Sequence, residues 1–343
     1  MNHKNGMDYR RRGSARLGGI IAAVLVVLLA VALVVVLKRS LSAPAPSQAA
    51  APGAPAAPAS AERAAASDAI TRGEFEKAAT LYRRMLEYPD AVEDVDLRLG
   101  LIQALIGLGD FAGAYEQYEK VLAIQGKNVS PQLHFQAGTV ASKAGRLDRA
   151  EEHYSMAQAA DLSRYEYPLY LGMVQLRQGK TDAGAASLVR AIKLNPECAE
   201  AYGTLAEVYL RDNKLEVAAP NIAKARELQP EFARWRIVEA RLLKRQGKAA
   251  DALTLLAAMD PADQAAPEAV TLMAECYGML QRPADAADLF AKAAKREPQN
   301  AEHYYQAAIW YERAGDTEKA RTFAKTAAMM GHEAAKEMEK SAG

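Results

Sequence analysis

Cysteine and histidine are scarce in this chain of 343 residues, and their placement excludes most of the chemistry they usually carry. The two cysteines are Cys198 and Cys276, and the five histidines are His3, His134, His153, His303 and His332. No set of them is spaced like the ligands of a zinc site or grouped like a catalytic constellation. His332-Glu333 is followed by Lys336 where a metalloprotease helix needs its second histidine. Gly179-Lys180-Thr181 looks like the end of a phosphate-binding loop, but its upstream glycine is Gly172, at the wrong spacing, and no strand leads into it. An excess of positive charge is also lacking. The net charge is +1, and residues 1–40 hold seven cations and one anion, which leaves 36 cations against 41 anions beyond them. An acidic body has no electrostatic footprint for nucleic acid. These absences assign no catalytic residue, no metal and no cofactor, and the chain does not read as an enzyme.

What is present is a period. Gly145, Gly179, Gly247 and Gly315 fall on one 34-residue register, with Asn213 and Gln281 in its two remaining slots. Five residues after each slot comes a small residue: Ala150, Gly184, Ala218, Ala252, Ala286 and Ala320. Four further on stand Tyr154, Leu188, Ile222, Leu256, Phe290 and Ala324, mostly large, and three beyond those an inner stripe of Ala157, Ala191, Ala225, Met259, Ala293 and Ala327. The small residues allow two antiparallel helices to approach, and the large ones fill the space between successive pairs. Pro196, Pro230 and Pro298 close three of the units, because proline ends a helix. Gly73 (with Phe75, Ala78 and Tyr82) and Gly109 (with Phe111, Ala114 and Tyr118) extend the pattern upstream at a spacing of 36.

The pattern resembles the tetratricopeptide (TPR) family over roughly residues 60 to 334. The resemblance implies an all-α fold, a right-handed helical solenoid of about eight helix-turn-helix units, the first degenerate. Each unit of such a stack touches only its neighbours. Cys198 and Cys276 are therefore expected as two buried or semi-buried thiols too far apart for a bridge.

The second strong feature is Leu17 to Leu37, 21 residues without a charge, followed at once by Lys38 and Arg39. At about 1.5 Å per residue this spans a bilayer core of roughly 30 Å. It reads as an uncleaved signal anchor. The rival is a cleavable signal peptide with small residues around Ala43 and Ala45, but an apolar region of that kind is normally shorter, about 7 to 15 residues. Five cations precede the segment, Lys4, Arg10, Arg11, Arg12 and Arg16, so the positive-inside bias puts the N-terminus in the cytoplasm and the repeats outside it. Residues beyond the anchor are rich in Ala and Pro (Pro44, Pro46, Pro52, Pro55 and Pro58) and form an extended tether. The expected organisation is a cytoplasmic basic tail at 1–16, a transmembrane anchor at 17–37, an Ala/Pro-rich linker at 38–60, repeats at 61–334 and a polar cap at 335–343. For a bacterial source this means a single-pass inner-membrane protein with periplasmic repeats. Asn128-Val129-Ser130 is a glycosylation sequon only if the source secretes through an endoplasmic reticulum.

Binding then falls to the first helix of each unit, at its second, fifth, ninth, twelfth and thirteenth places, which line the groove in the family the chain resembles. The sixth unit puts Arg234, Arg241, Lys244 and Arg245 there. Clustered guanidinium forks suit carboxylates, so the matching ligand is a protein or peptide with an acidic segment or a free C-terminus. The alternative is that Glu207 and Glu275 of the flanking units pair with these cations across the groove. The chaperone-tail clamp of some TPR proteins is missing, since Arg63, Ser67, Leu99 and Gln103 stand in its places. The resulting expectation is a membrane-anchored scaffold that binds proteins or peptides to support an envelope assembly. The alternatives are a periplasmic co-chaperone tied to secretion or cytochrome c maturation, and a non-catalytic subunit of an envelope enzyme.

Overall fold

The 34-residue register is the recurrence of one backbone conformation. The computed structural model describes residues 60–341, all within the compact unit Ala56–Gly343. In it Gly145, Gly179, Gly247 and Gly315 have φ of 76 to 80°, and Asn213 and Gln281, at φ 58°, share the left-handed region. Each stands just past the end of a helix. The Gly179 N–H donates to the Leu176 carbonyl at 3.0 Å and the Lys180 N–H to the Gln175 carbonyl at 2.9 Å. The same two bonds recur at Asn213 with Lys214 and at Gln281 with Arg282. This pairing satisfies the last free carbonyls of a helix and turns the chain back on itself.

Eight hairpins result among the described residues. They are α1 (Ser60–Thr71) with α2 (Phe75–Met85), α3 (Val95–Gly107) with α4 (Phe111–Gln125), α5 (Pro131–Lys143) with α6 (Leu147–Ala160), and α7 (Glu166–Arg177) with α8 (Thr181–Leu194). Then come α9 (Ala199–Arg211) with α10 (Leu215–Leu228), and α11 (Ala233–Arg245) with α12 (Ala249–Ala257). A single turn, α13 (Pro261–Gln264), leads to α14 (Pro267–Met279) with α15 (Pro283–Arg296), α16 (Ala301–Arg313) with α17 (Thr317–Met329), and a final α18 (Glu333–Ser341). Each hairpin helix packs on the next hairpin helix in sequence, and no strand occurs among the described residues.

The stripes read from the sequence are the packing surfaces. Ala150, Ala218, Ala252 and Ala286 are fully buried, as are Leu188 and Leu256, while Tyr154 and Ile222 are 1% exposed. Hairpin 4 carries a close backbone approach: a Cβ on Gly172 would stand 2.8 Å from the Gly184 carbonyl oxygen, and one on Gly184 would stand 3.0 Å from that of Gly172. Between hairpins 5 and 6 the Trp235 ring occupies the space that a side chain at Gly203 would need. Helices α8, α10 and α15 end two residues before Pro196, Pro230 and Pro298. Pro220 is different, because it lies inside α10, where it removes an interior hydrogen-bond donor.

The chain after the eighth hairpin turns at Gly331 (φ 93°) into α18. Ala335 is fully buried there against Ala327 and Ala328, with Tyr304 and Tyr305 packed on the cluster. Thus α18, which begins at Glu333, contributes half a unit that packs on the eighth hairpin through Ala335. Cys198 and Cys276 are buried and free. The apolar stretch 17–37 and the linker up to residue 59 lie outside the described residues. No helix among the described residues is long and apolar enough to cross a membrane.

Candidate functional site

Successive first helices touch directly, α9 on α11 and α11 on α14, so their outward residues form one continuous face. On it the four cations chosen from the sequence all have partners within the chain. Arg234 grips Glu207 with two bonds, Nε to Oε1 at 3.0 Å and Nη2 to Oε2 at 2.7 Å. Arg241 pairs with Glu268, and Lys244 Nζ lies 2.5 Å from Glu275 Oε2. Arg245 Nη1 donates to the Leu210 carbonyl at 2.5 Å, at the end of α9 where the helix dipole favours a cation. Three of the four are thus countered by carboxylates of the flanking hairpins, the arrangement that Glu207 and Glu275 made conceivable from the sequence. Such pairs at partly exposed sites are each worth about 0 to 1 kcal/mol. Arg63, in the first place of the missing clamp, is also engaged, with Asp94 at 2.5 Å.

A different set of cations is left without counter-ions. Two residues before the turn, hairpins 3 to 8 carry Lys143, Arg177, Arg211, Arg245, Met279 and Arg313, so that hairpin 7 alone breaks the series within the 34-residue register. Arg177 donates to the Ser142 hydroxyl at 2.7 Å, and Arg211 reaches the Thr181 hydroxyl at 3.4 Å. Arg313 lies over the Trp310 ring, 4.7 Å from its centroid. Among the described residues none of these three has a carboxylate partner. The signal was in the sequence, a basic residue at the same place in five of six periods, but each copy alone resembles any cation at the end of an exposed helix.

Two cavities open on this face. One, of about 370 Å³ between hairpins 4 and 5, has an apolar floor of Met173, Leu176 and Val208 with Arg177, Arg211 and the Arg234–Glu207 pair around it. Thr204 is also in its wall, and its buried hydroxyl has no partner. The other, of about 560 Å³ between hairpins 7 and 8, is lined by Met279, Phe290 and Trp310, with Glu275, Gln306 and Arg313 among its polar residues. Among the described residues no group of three or more His, Cys, Asp or Glu side chains is placed to hold a metal ion.

The architecture has relatives of known structure. A tetratricopeptide repeat protein from Parabacteroides merdae ATCC 43184 is 18% identical, with a TM-score of 0.56 over 72% of this chain and 98% of its own. A chain of the APC/C hetero-tetramer Cut9-Hcn1 is 12% identical, with a TM-score of 0.52 over 82% of this chain and 55% of its own. No curated protein matches the sequence. The family model described as Tetratricopeptide repeat matches residues 63–131 and 169–220. The model described as Psidin, N-terminal TPR repeats region, matches 209–336. Helix stops on a 34-residue period, paired helices throughout and matches that run over most of the described chain have one reading: the chain belongs to the tetratricopeptide-repeat family.

Proposed function

We propose that this protein is a membrane-anchored adaptor that grips an acidic segment of a partner protein along the face of its first helices, and so supports assembly of an envelope complex. A TPR stack without convergent catalytic groups serves as a scaffold for protein–protein interaction. The observation that carries the finer reading is the pair Arg177 and Arg211, two guanidinium groups without carboxylate partners above an apolar floor. Guanidinium forks match carboxylates in geometry and charge, and the floor supplies the apolar contact that gives such a pair affinity. Arg234 belongs to this cavity as well as to the basic face of hairpin 6. Arg241, Lys244 and Arg245 join in binding only by exchanging their internal partners for the ligand. Residues 17–37 would hold the repeats at the inner membrane on the periplasmic side, with the linker as a tether.

The test is affinity capture from crosslinked membranes with a tag after Gly343. Arg177→Glu with Arg211→Glu should lose the dominant partner, while Arg241→Glu with Lys244→Glu should keep it. The reverse result would move recognition to hairpin 6, and no change in either would reject this face. Protease added to spheroplasts should digest the repeats, and protection would overturn the periplasmic placement.

A further inference from the structure

The two cavities occupy the same places in the repeat. Leu176, Val208 and Arg211 stand three 34-residue periods before Gly278, Trp310 and Arg313. Each triad spans the junction of one hairpin with the next: a residue near the end of one first helix, then an apolar residue and a cation on the following first helix. In both junctions the cation lacks a carboxylate partner. Both floors are apolar, of Met173, Leu176 and Val208 in one and of Met279, Phe290 and Trp310 in the other.

Hairpin 7 departs from hairpins 4 to 6 at two places that line the second cavity. Gly278 has no side chain where the earlier hairpins carry Leu176, Leu210 and Lys244, and the Trp310 ring packs so near that a Cβ there would stand 2.7 Å from it. Met279, 48% exposed, replaces the cation of the register. Between the two cavities the register places hold Leu210, Leu242 and Arg245 and then Lys244, Cys276 and Met279, and two charge pairs, Arg241 with Glu268 and Lys244 with Glu275, cross the stretch. The face therefore runs from an apolar pocket whose cation has no carboxylate partner, through a stretch where Arg241 and Lys244 are paired and Arg245 is held by a carbonyl, to a second apolar pocket whose cation has no carboxylate partner.

We propose that these are two equivalent sockets, each taking one apolar side chain beside a carboxylate, and that a single partner segment fills both. This rests on the adaptor reading above and goes beyond it by fixing the ligand's chemistry and valency. In the stretch between them the cations are already engaged within the chain, Arg241 and Lys244 by carboxylates and Arg245 by the Leu210 carbonyl, so the middle of the ligand acts as a spacer. Two sites joined by one chain bind far more tightly than either alone, provided the spacer matches their separation.

The experiment pans a displayed library of random peptides on the purified full chain in detergent, then measures the selected peptides by fluorescence anisotropy. Peptides with two acidic–apolar pairs at a preferred separation are expected. Arg211→Glu and Arg313→Glu, both at exposed positions, should each weaken such a peptide on the order of 10²-fold, the loss of one of two linked contacts. Met279→Arg, which restores the register's cation and fills the second socket, should match Arg313→Glu, with the helical signal unchanged in all three variants. Selected peptides sensitive at only one socket would overturn this proposal and leave the adaptor reading standing. Peptides insensitive at both, or no selected peptide at all, would overturn the two together.

Discussion

The Tyr115 hydroxyl and the Nε2 of His153 stand 3.1 Å apart between hairpins 2 and 3, and the other nitrogen of the same imidazole faces His134, Nδ1 to Nδ1 at 3.3 Å. The two imidazole centroids are 5.6 Å apart, so the nitrogens meet head-on, as in a hydrogen bond, and their lone pairs do not converge on a third point. Tyr115 donates to Glu119 at 2.8 Å and accepts from Arg149 Nε at 3.1 Å. His153 then donates from Nε2 to Tyr115 and accepts at Nδ1 from His134, a tautomer assigned from the network. Every polar atom of this buried ring is thus used in its neutral form.

Acid should therefore loosen this junction. Burial first, then the neighbouring His134 and Arg149, pushes the pKa of His153 down to about 4. Its folded pKa lies below the unfolded value of roughly 6.5, so the unfolded chain takes up the proton first. The stabilising effect of the neutral ring is complete above about pH 6.5 and is lost as the pH falls towards 4, with a loss of at most about 3 kcal/mol. Thermal melts of the full chain across this range should show a slope that His153→Gln reduces. Parallel slopes in the two proteins would rule out His153 as the source.

At the helix stops, residue choice should follow φ. Gln281 adopts φ 58° where four of the six register positions hold glycine. A side chain in the left-handed region costs roughly 1 kcal/mol, so Gln281→Gly should stabilise hairpin 7 by up to about that amount. Gly179→Ala, at φ 79°, should destabilise hairpin 4 by about 1 to 2 kcal/mol. Because solenoids unfold locally, hydrogen exchange in the affected hairpin is the suitable measurement. A faster-exchanging Gln281→Gly protein would contradict the strain argument.

Pro220 gives an independent prediction about the same stack. It leaves the Glu216 carbonyl in α10 without its helical donor, and the position is exposed, so no packing offsets the loss. Pro220→Ala should raise stability by about 1 to 3 kcal/mol. Unchanged melting would mean that the helix has already relaxed around the ring.

The fold was legible because its most demanding local event, a left-handed helix stop, is met most cheaply by glycine or asparagine and recurs at a constant spacing. The small and large stripes after Gly145 or Gly179 were legible for the same reason, since every hairpin solves one packing problem. Contacts between hairpins were harder to read. Trp235 against Gly203 and Trp310 against Gly278 depend on rotamers and on which neighbour gives way, and neither pair stands out in the sequence. The candidate binding face was half legible. The cluster at Arg234, Arg241, Lys244 and Arg245 drew notice by its density, yet density also attracts partners, and Glu207, Glu268 and Glu275 supply them. Arg177 and Arg211 drew no notice for the opposite reason: no carboxylate pairs with them, Glu207 in the same cavity being held by Arg234, and only the three-dimensional arrangement shows that.

Neutralisation by Glu268 and Glu275 can itself be tested. With both changed to glutamine, Arg241 and Lys244 lose their counter-ions while the side-chain volumes stay the same. The uncompensated cations would then run from Arg177 and Arg211 through hairpin 6 to Arg313. An acidic probe such as a poly-glutamate peptide should bind the double variant roughly tenfold more tightly, the factor that about 1.4 kcal/mol represents. Because the added contacts are exposed, the gain should shrink as salt rises and the Debye length falls towards about 3 Å at 1 M. Stability should change by no more than about 1 kcal/mol, since exposed pairs contribute little. If poly-glutamate binds both proteins equally at low salt, the face does not read charge, and the carboxylates of hairpins 6 and 7 serve only to hold neighbouring repeats together.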